Sequence, residues 1–451
     1  MTTDTIAAIA TAAGRGAIGV LRLSGPLART TAEKICGSLP PPRQAGLRAF
    51  RDAGGYVLDR GLVLSFAAPN SYSGEDLVEL QAHGGPVLLD LLLQAACAAG
   101  ARVARPGEFS ERAFVNGRLD LAQAEAVADL IDASSREAVT AAQRSLEGEF
   151  SRQVQALADE LMQIRAWIEG ALDFSDEDID WLADAQLHQR LRAWRDALAG
   201  LQLQTAQGRR LRDGLVVAIA GQPNVGKSSL LNRLAGADAA IVSDQPGTTR
   251  DVLREHLLLD GLPVTVIDTA GLRDTGDAIE REGIRRAWAA VEKAEAILFV
   301  FDDRDPEAEA DRMLLARMPA DVPRLLIRNK CDLSGAPPLR RQTDTGTELR
   351  VSAVTGQGFD LLRDELRHLA GWSAGGADQQ TVFTARTRHV VALAACSGHV
   401  QQAQNRLEQR QPAETIAEEL RLAQQELSEI TGTVTTDDLL GQIFSSFCIG
   451  K

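Results

Sequence analysis

Val216-Val217-Ala218-Ile219-Ala220-Gly221-Gln222-Pro223-Asn224-Val225-Gly226-Lys227-Ser228-Ser229-Leu230-Leu231-Asn232-Arg233-Leu234 runs from an unbroken apolar segment through a glycine-punctuated loop into a second apolar segment. The apolar run Val216 to Ala220 reads as a buried strand, and Ser229 to Leu234 opens a helix. Between them lies G-x-x-x-x-G-K-S in the strand–loop–helix setting that such a loop requires. Its glycines let backbone N–H groups approach phosphate oxygens, and the helix N-terminus adds positive potential. Lys227 is then expected at the β- and γ-phosphates of a nucleotide and the Ser228 hydroxyl on Mg²⁺.

Three further elements follow in order. Ser243-Asp244-Gln245-Pro246-Gly247-Thr248-Thr249 is a polar loop in which a threonine can reach the metal and fold over the γ-phosphate. His256 to Leu259 and Leu262 to Ile267 flank Asp260-Gly261, a strong two-residue hairpin signal. The second strand ends in Asp268-Thr269-Ala270-Gly271, which sets Asp268 for the outer shell of the metal and Gly271 for an N–H to the γ-phosphate. Leu325 to Arg328 reads as a strand ending in Asn329-Lys330-Cys331-Asp332, and the Asp332 carboxylate can accept from guanine N1–H and its exocyclic amine. Adenine lacks that pair of donors, so a buried acceptor left unpaired would reject ATP. Ser352-Ala353-Val354, after the strand Glu348 to Val351, is expected to close over the base. Four ordered elements point to GTP.

Hydrolysis needs a water-orienting group. P-loop GTPases often carry glutamine just after Asp-x-x-Gly, but here Leu272 stands there and an apolar side chain cannot orient water. Glu280 and Glu282 in the following charged segment are the candidates. Asn224 is the other departure: its side-chain oxygen can hold a monovalent cation against the phosphates, supplying the charge that an arginine finger gives elsewhere, or simply brace the loop.

Around this α/β region the 451-residue chain is long enough for about three domains. Net charge is −14 and the pI near 5.0, so no global positive field draws it to RNA or anionic lipid, and any RNA contact needs a local patch or a partner. Five scattered cysteines without C-x-x-C spacing argue against a disulfide framework and a zinc site, and a reducing cytoplasm fits. Neither a secretory leader nor a membrane span is expected. Residues 1–120 mix short apolar runs (Ile18 to Leu23, Gly61 to Phe66) with Gly/Pro turns and a helix at Pro86 to Ala99, an α+β pattern. From Leu121 to about Gly208, and again from Thr384 to Glu429, apolar residues recur three and four apart, with an acidic run at Asp173 to Asp180 and a Gly/Ala/Ser linker after Gly371. The two helical blocks, each with an apolar stripe to bury, are expected to form one discontinuous domain interrupted by a Ras-like α/β G domain, giving a division at 1–120, 121–212, 213–371 and 372–451.

These G-domain motifs, together with Asp4-Thr5-Ile6, Gly14-Arg15-Gly16, Pro106-Gly107-Glu108-Phe109, Asn116-Gly117-Arg118-Leu119-Asp120 and the tail Phe447-Cys448-Ile449-Gly450-Lys451, resemble the MnmE (TrmE) family over essentially the whole chain. The resemblance implies a GTPase that works with the FAD-containing partner MnmG on the wobble uridine of tRNA, installing an aminomethyl or carboxymethylaminomethyl group at C5. It implies a homodimer joined through N-terminal domains that bind (6S)-5-formyl-tetrahydrofolate or a related tetrahydrofolate. It further implies that K⁺ beside the phosphates promotes G-domain dimerisation and hydrolysis. Asn224, Ser243, Gln245 and Thr248 fall at the potassium positions, Ser228 and Thr249 at the magnesium positions, and Glu280 at the catalytic glutamate. Arg22, Glu79, Arg118 and Lys451 match folate contacts, with arginine at 118 where the family usually has lysine. Cys448 matches a cysteine needed for modification.

Two look-alikes are set aside: Gly14-Arg15-Gly16-Ala17-Ile18-Gly19 fits G-x-G-x-x-G but leads into a strand, and Cys448-Ile449-Gly450-Lys451 suits prenylation poorly. A ribosome-assembly type of regulatory GTPase would share Asn224 and the Thr248-Thr249 pattern, but it predicts an RNA-binding module, and no KH-type loop in a basic setting is visible. A folate-binding scaffold whose GTPase only times assembly is the third reading, separated by substituting Cys448.

Overall fold

The computed structural model describes residues 4–173, 185–237, 254–268, 291–292, 294–305, 308–319, 321–372, 382–433, 437–445, 447–448 and 450. The chain divides into two compact units, one of Met1–Ile131, Ser145–Leu198 and Val391–Lys451, the other of Asp132–Arg144 and Ala199–Val390.

The first unit opens with β1 (Ile6–Ile9), β2 (Ile18–Ser24), α1 (Ala28–Cys36), β3 (Gly46–Arg51), β4 (Val57–Phe66), β5 (Leu77–His83), α2 (Pro86–Ala98), β6 (Arg102–Val103) and α3 (Glu108–Val115). The strands form one sheet in the order β3-β4-β5-β2-β1-β6, antiparallel except for β1 beside β6. Alternation sends Leu21, Leu23, Val78 and Leu80 to a face covered by α1 and α2, while Arg22 and Glu79 lie between them in sequence and reach the other face. β2 begins inside the G-x-G-x-x-G look-alike, at Ile18, and continues past it as a strand and not a helix.

Next come α4 (Leu121–Asp132), α5 (Arg136–Leu146), α6 (Glu149–Asp173) and α7 (Ala185–Asp213). Most of the acidic run, from 174 onward, lies outside the described residues. In this unit α6 buries Phe150, Leu161, Ile164 and Ile168, and Trp194 on α7 donates its indole N–H to the Leu157 carbonyl at 2.8 Å.

The second unit is built on β7 (Leu215–Ala220), α8 (Lys227–Ala237), β8 (Arg254–Leu259), β9 (Leu262–Asp268), β10 (Ala296–Asp302), α9 (Glu309–Ala316), β11 (Arg324–Asn329), α10 (Cys331–Ser334), β12 (Leu339–Thr343), β13 (Gly346–Arg350) and α11 (Phe359–Leu369). Its sheet runs β12-β13-β11-β10-β7-β9-β8, parallel in the five central strands and antiparallel at both edges. Parallel strands are buried on both faces, which explains the unbroken apolar runs of β7 and β10. Ala141 of α5 and Leu211 of α7 belong to the same core, so these parts of the helical sequence pack with the α/β unit. The Asp260-Gly261 turn joins β8 to β9 as expected, with φ of 49° and 86°. It is pinned by the Trp372 indole donating to the Asp260 carbonyl at 3.2 Å and by Arg367 paired with the Asp260 carboxylate at 3.0 Å.

The chain continues in α12 (Thr387–Glu408), α13 (Ala413–Thr431) and α14 (Asp437–Ser445). In the first unit α13 lies along α6, and α14 sets Ile443 and Phe444 against Leu121 and Ala124 of α4. Among the described residues no helix is long and apolar enough to cross a membrane, and no His/Cys/Asp/Glu cluster has metal-binding geometry.

Candidate functional site

The loop after β7 leaves the sheet at the C-terminal edge of its parallel strands, beside β10, where open α/β sheets bind ligands. Gly221 has φ +144° and Gly226 φ +97°; a Cβ on the first would overlap the Val300 carbonyl and on the second the Asn329 amide. Asn224 also adopts a left-handed φ, 62°, a region that asparagine tolerates better than most residues. Val225 is buried, while Ser228 and Ser229 are exposed at the first turn of α8. Lys227 turns back over its own loop and donates to the carbonyls of Gly221 and Gln222, each at 2.9 Å.

β11 delivers the base-reading element. Asn329 is buried at the strand end; its Nδ2 donates to the Val225 carbonyl at 2.9 Å and its Oδ1 accepts the Ala353 N–H at 3.0 Å. A single amide therefore fixes the phosphate loop and the base loop together. Lys330, at φ +70°, bridges the Asn224 carbonyl at 2.5 Å and the Asp302 carboxylate at 2.8 Å. Hydrogen bonds from Arg304, and next the one from Lys330 working against partial burial, hold the Asp302 carboxyl well below the usual carboxylate range. Asp332 is exposed, and its Oδ1 accepts the Ser352 hydroxyl at 2.6 Å, which leaves Oδ2 for a donor edge. Ser352 is buried and its hydroxyl also accepts the Thr355 N–H at 3.0 Å.

Asn224 to Ser229, Asn329, Lys330, Asp332 and Ser352 to Val354 are thus brought to one edge of one sheet. Ser243 to Thr249, Thr269 to Leu272, Glu280, Glu282 and Lys451 lie outside the described residues, and Asp268 is described only as the end of β9. Asp302 and its bridge to Lys330 belong to none of the four motifs, and their signal in the sequence is the acidic end of the apolar run Ala296 to Phe301.

The first unit carries a second cluster. Arg22 and Glu79 are direct cross-strand neighbours, with Arg22 Nε and Nη2 at 3.0 and 2.9 Å from Glu79 Oε1, so Oε2 stays open to another donor. The Arg22 guanidinium lies 5.6 Å from the Tyr72 ring and 5.8 Å from that of Phe109, and also reaches the Gly450 carbonyl at 3.3 Å. The tail returns to this place: the Cys448 carbonyl accepts the Gly107 N–H at 3.3 Å, and Gly450 approaches Ile9 so closely that a Cβ would lie 2.6 Å from its carbonyl oxygen. Cys448 itself is a free, exposed thiol. Arg118 is exposed, with its stem over the Gly74 turn, and among the described residues it forms neither hydrogen bond nor ion pair with Arg22 or Glu79.

A Gly-Lys-Ser loop opening a helix, joined through asparagine to an Asn-Lys-x-Asp element on the same sheet edge, defines the class: a P-loop GTPase, a GTP hydrolase. The profile described as the MnmE helical domain matches residues 121–448, and that described as the N-terminus of the GTP-binding protein TrmE matches residues 5–118. The tRNA modification GTPase MnmE of Pectobacterium carotovorum subsp. carotovorum (strain PC1) is 50% identical over 454 residues, spanning 100% of this chain and 99% of that protein. The chain belongs to the MnmE family. Among solved structures, Aquifex aeolicus Era bound to GDP.AlF4- aligns with 41% of this chain and 66% of its own at 23% identity and a TM-score of 0.28. The G domain of the T. maritima FeoB iron transporter aligns with 35% of this chain and 98% of its own, at 25% and 0.26.

Proposed function

We propose that this chain couples GTP hydrolysis to modification of the wobble uridine of tRNA at C5, acting in the cytoplasm as a homodimer with an FAD-containing MnmG partner and a tetrahydrofolate one-carbon donor. The observation that carries the nucleotide part is Asn329, whose amide ties the phosphate loop to the base loop beside Asp332. Full-length identity to a named tRNA modification GTPase supports the tRNA part. The proposed domain plan divides the chain at 120, 212 and 371, and family profiles that meet between residues 118 and 121 support the first of these boundaries.

In this reading Ser228 and Thr249 hold Mg²⁺, with Asp268 behind it, and Ser228 stands exposed at the helix start as that role needs. Asn224, Ser243, Gln245 and Thr248 hold K⁺, whose charge substitutes for an arginine finger. The Asn224 carbonyl is taken by Lys330, which leaves its side-chain amide for the ion. Glu280 orients water in place of the apolar Leu272. Lys227 releases the carbonyls of Gly221 and Gln222 and turns to the phosphates. In the N-terminal sheet Glu79 Oε2 can take the N–H edge of a pterin while Arg22, Arg118 and Lys451 offer positive charge to its carboxylates or formyl oxygen. The tail contacts keep exposed Cys448 in the same region, so its thiol is assigned to the modification step.

GTP turnover in KCl against NaCl at equal ionic strength, with ATP as control, tests the nucleotide part. The reading expects strong acceleration by K⁺, lost in Asn224→Ala, and Glu280→Ala that binds GTP but hydrolyses it slowly; equal rates in both salts would remove the cation mechanism. Cys448→Ser is expected to abolish tRNA modification while sparing GTP turnover, and modification that survives it would take the tail out of the chemistry.

A further inference from the structure

We propose that Arg233 is a positioning residue for the loop that covers the guanine, so that affinity for the base depends on it while the chemical step does not. This rests on the reading of Asp332 and Ser352 to Val354 as the base site. Arg233 lies on α8, the helix whose first turn carries Lys227 and Ser228, and it is half-buried. Its Nη1 donates to the Val354 carbonyl at 2.9 Å. The guanidinium carbon stands 5.9 Å from the ring centroid of Phe359, at the start of α11. Gly356 closes a third side: at φ +86° it presents bare Cα to the guanidinium, and a Cβ there would overlap Nη2 and lie 2.9 Å from the guanidinium carbon.

The loop has its own turn bonds, the Gly356 N–H to the Ser352 carbonyl and the Ser352 N–H to the Gln357 carbonyl, both 2.9 Å. Those shape it, and the Asn329 Oδ1 that accepts the Ala353 N–H at 3.0 Å holds its first half to β11, but none of them reaches the Val354 carbonyl. Val354 is 72% exposed, so its position depends on what grips its main chain. Arg233 supplies that grip from a different element, a planar cation that donates to the loop, stacks over Phe359 and fits only against glycine. One helix thereby addresses both poles of the nucleotide, phosphates from its first turn and base loop from its second.

The test uses the full chain and two probes: a fluorescent GDP analogue, and inorganic tripolyphosphate, which has no base. Arg233→Ala and Arg233→Met should release the GDP analogue roughly tenfold faster, with a matching rise in the KM for GTP, while turnover at saturating GTP and affinity for tripolyphosphate stay unchanged. Arg233→Lys should recover part of the loss, since an ammonium donates but cannot lie flat on Gly356, and Gly356→Ala should weaken GDP binding through the opposite partner. GDP release unchanged in both Arg233→Ala and Arg233→Met would overturn the proposal. So would equal loss of GDP and tripolyphosphate, which would make Arg233 a support of the whole domain. An unaltered chain that holds GDP no better than tripolyphosphate would instead remove the guanine site, and this assignment with it.

Discussion

The two polar centres of the molecule satisfy their charges by opposite means. In the α/β unit the main chain does much of it: Lys227 donates to two carbonyls of its own loop, Lys330 to the Asn224 carbonyl as well as to the Asp302 carboxylate, and Asn329 to one main-chain group while accepting from another. In the N-terminal sheet unit, charges answer charges. Arg112, 3% exposed, meets Asp4, Glu75 and Glu108, and Arg102 meets Asp4 and Glu108 again. Recognition by main chain depends on local backbone geometry and is written as short motifs with glycine at fixed places. Recognition by side-chain charge draws on positions 4, 75, 102, 108 and 112, which no short pattern joins.

Each centre has its own points of failure. Arg112→Met should be the most damaging change, because it leaves Glu108, 2% exposed, short of a buried partner; a loss of about 3–5 kcal/mol in urea unfolding is expected. Restoring most of that stability by adding Glu108→Gln would show that the unpaired charge, and not lost packing, is responsible. Acid attacks the same network. Burial works against the Glu108 carboxylate, but the Arg102 hydrogen bond, then the Arg105 N–H and Arg112, overcome it and hold its pKa down at about 2 against 4.5. A depressed folded pKa means that this stability is complete above about pH 4.5 and disappears as pH falls through about 2, so the thermal midpoint should drop across that window. Arg102→Ala should flatten the drop.

In the α/β unit the sensitive points are glycines. Gly226→Ala places a Cβ on the Asn329 amide at φ +97° and should raise the barrier to GTP turnover by about 2 kcal/mol, roughly thirtyfold, with little change in the melting of the N-terminal unit. Trp372→Phe is the mildest case. It deletes the indole N–H to the Asp260 carbonyl and trims a ring that is 5% exposed in the core, and should cost about 1–2 kcal/mol in the unfolding of the α/β unit. A Trp372→Phe loss as large as that of Arg112→Met would end the contrast, since neutral main-chain bonds would then match buried charges.

What was legible follows the same line. The strands at Val216, Leu262 and Leu325, the Asp260-Gly261 turn and the phosphate loop are contiguous patterns and appear where periodicity and glycine spacing put them. The cross-strand meeting of Arg22 and Glu79 depends on a register between residues 57 apart, so only resemblance singled those two out. Asp302 and Lys330 meet across two neighbouring parallel strands, another long-range register. Periodicity marks α5 as helical but cannot say which core Ala141 joins, because an apolar stripe fits any apolar surface.

Asn329 gives the nucleotide site an all-or-none character. The asparagine amide presents a donating NH2 on one side of a flat group and an accepting oxygen on the other, and here each side is used, at 2.9 Å to Val225 and 3.0 Å from Ala353. Turning the group over would set donor against donor and carbonyl against carbonyl, losing both bonds at once with no intermediate orientation to catch it. The phosphate loop and the base loop are consequently geared through a part with one working position, and a change felt at one end of the nucleotide reaches the other without passing through the nucleotide itself.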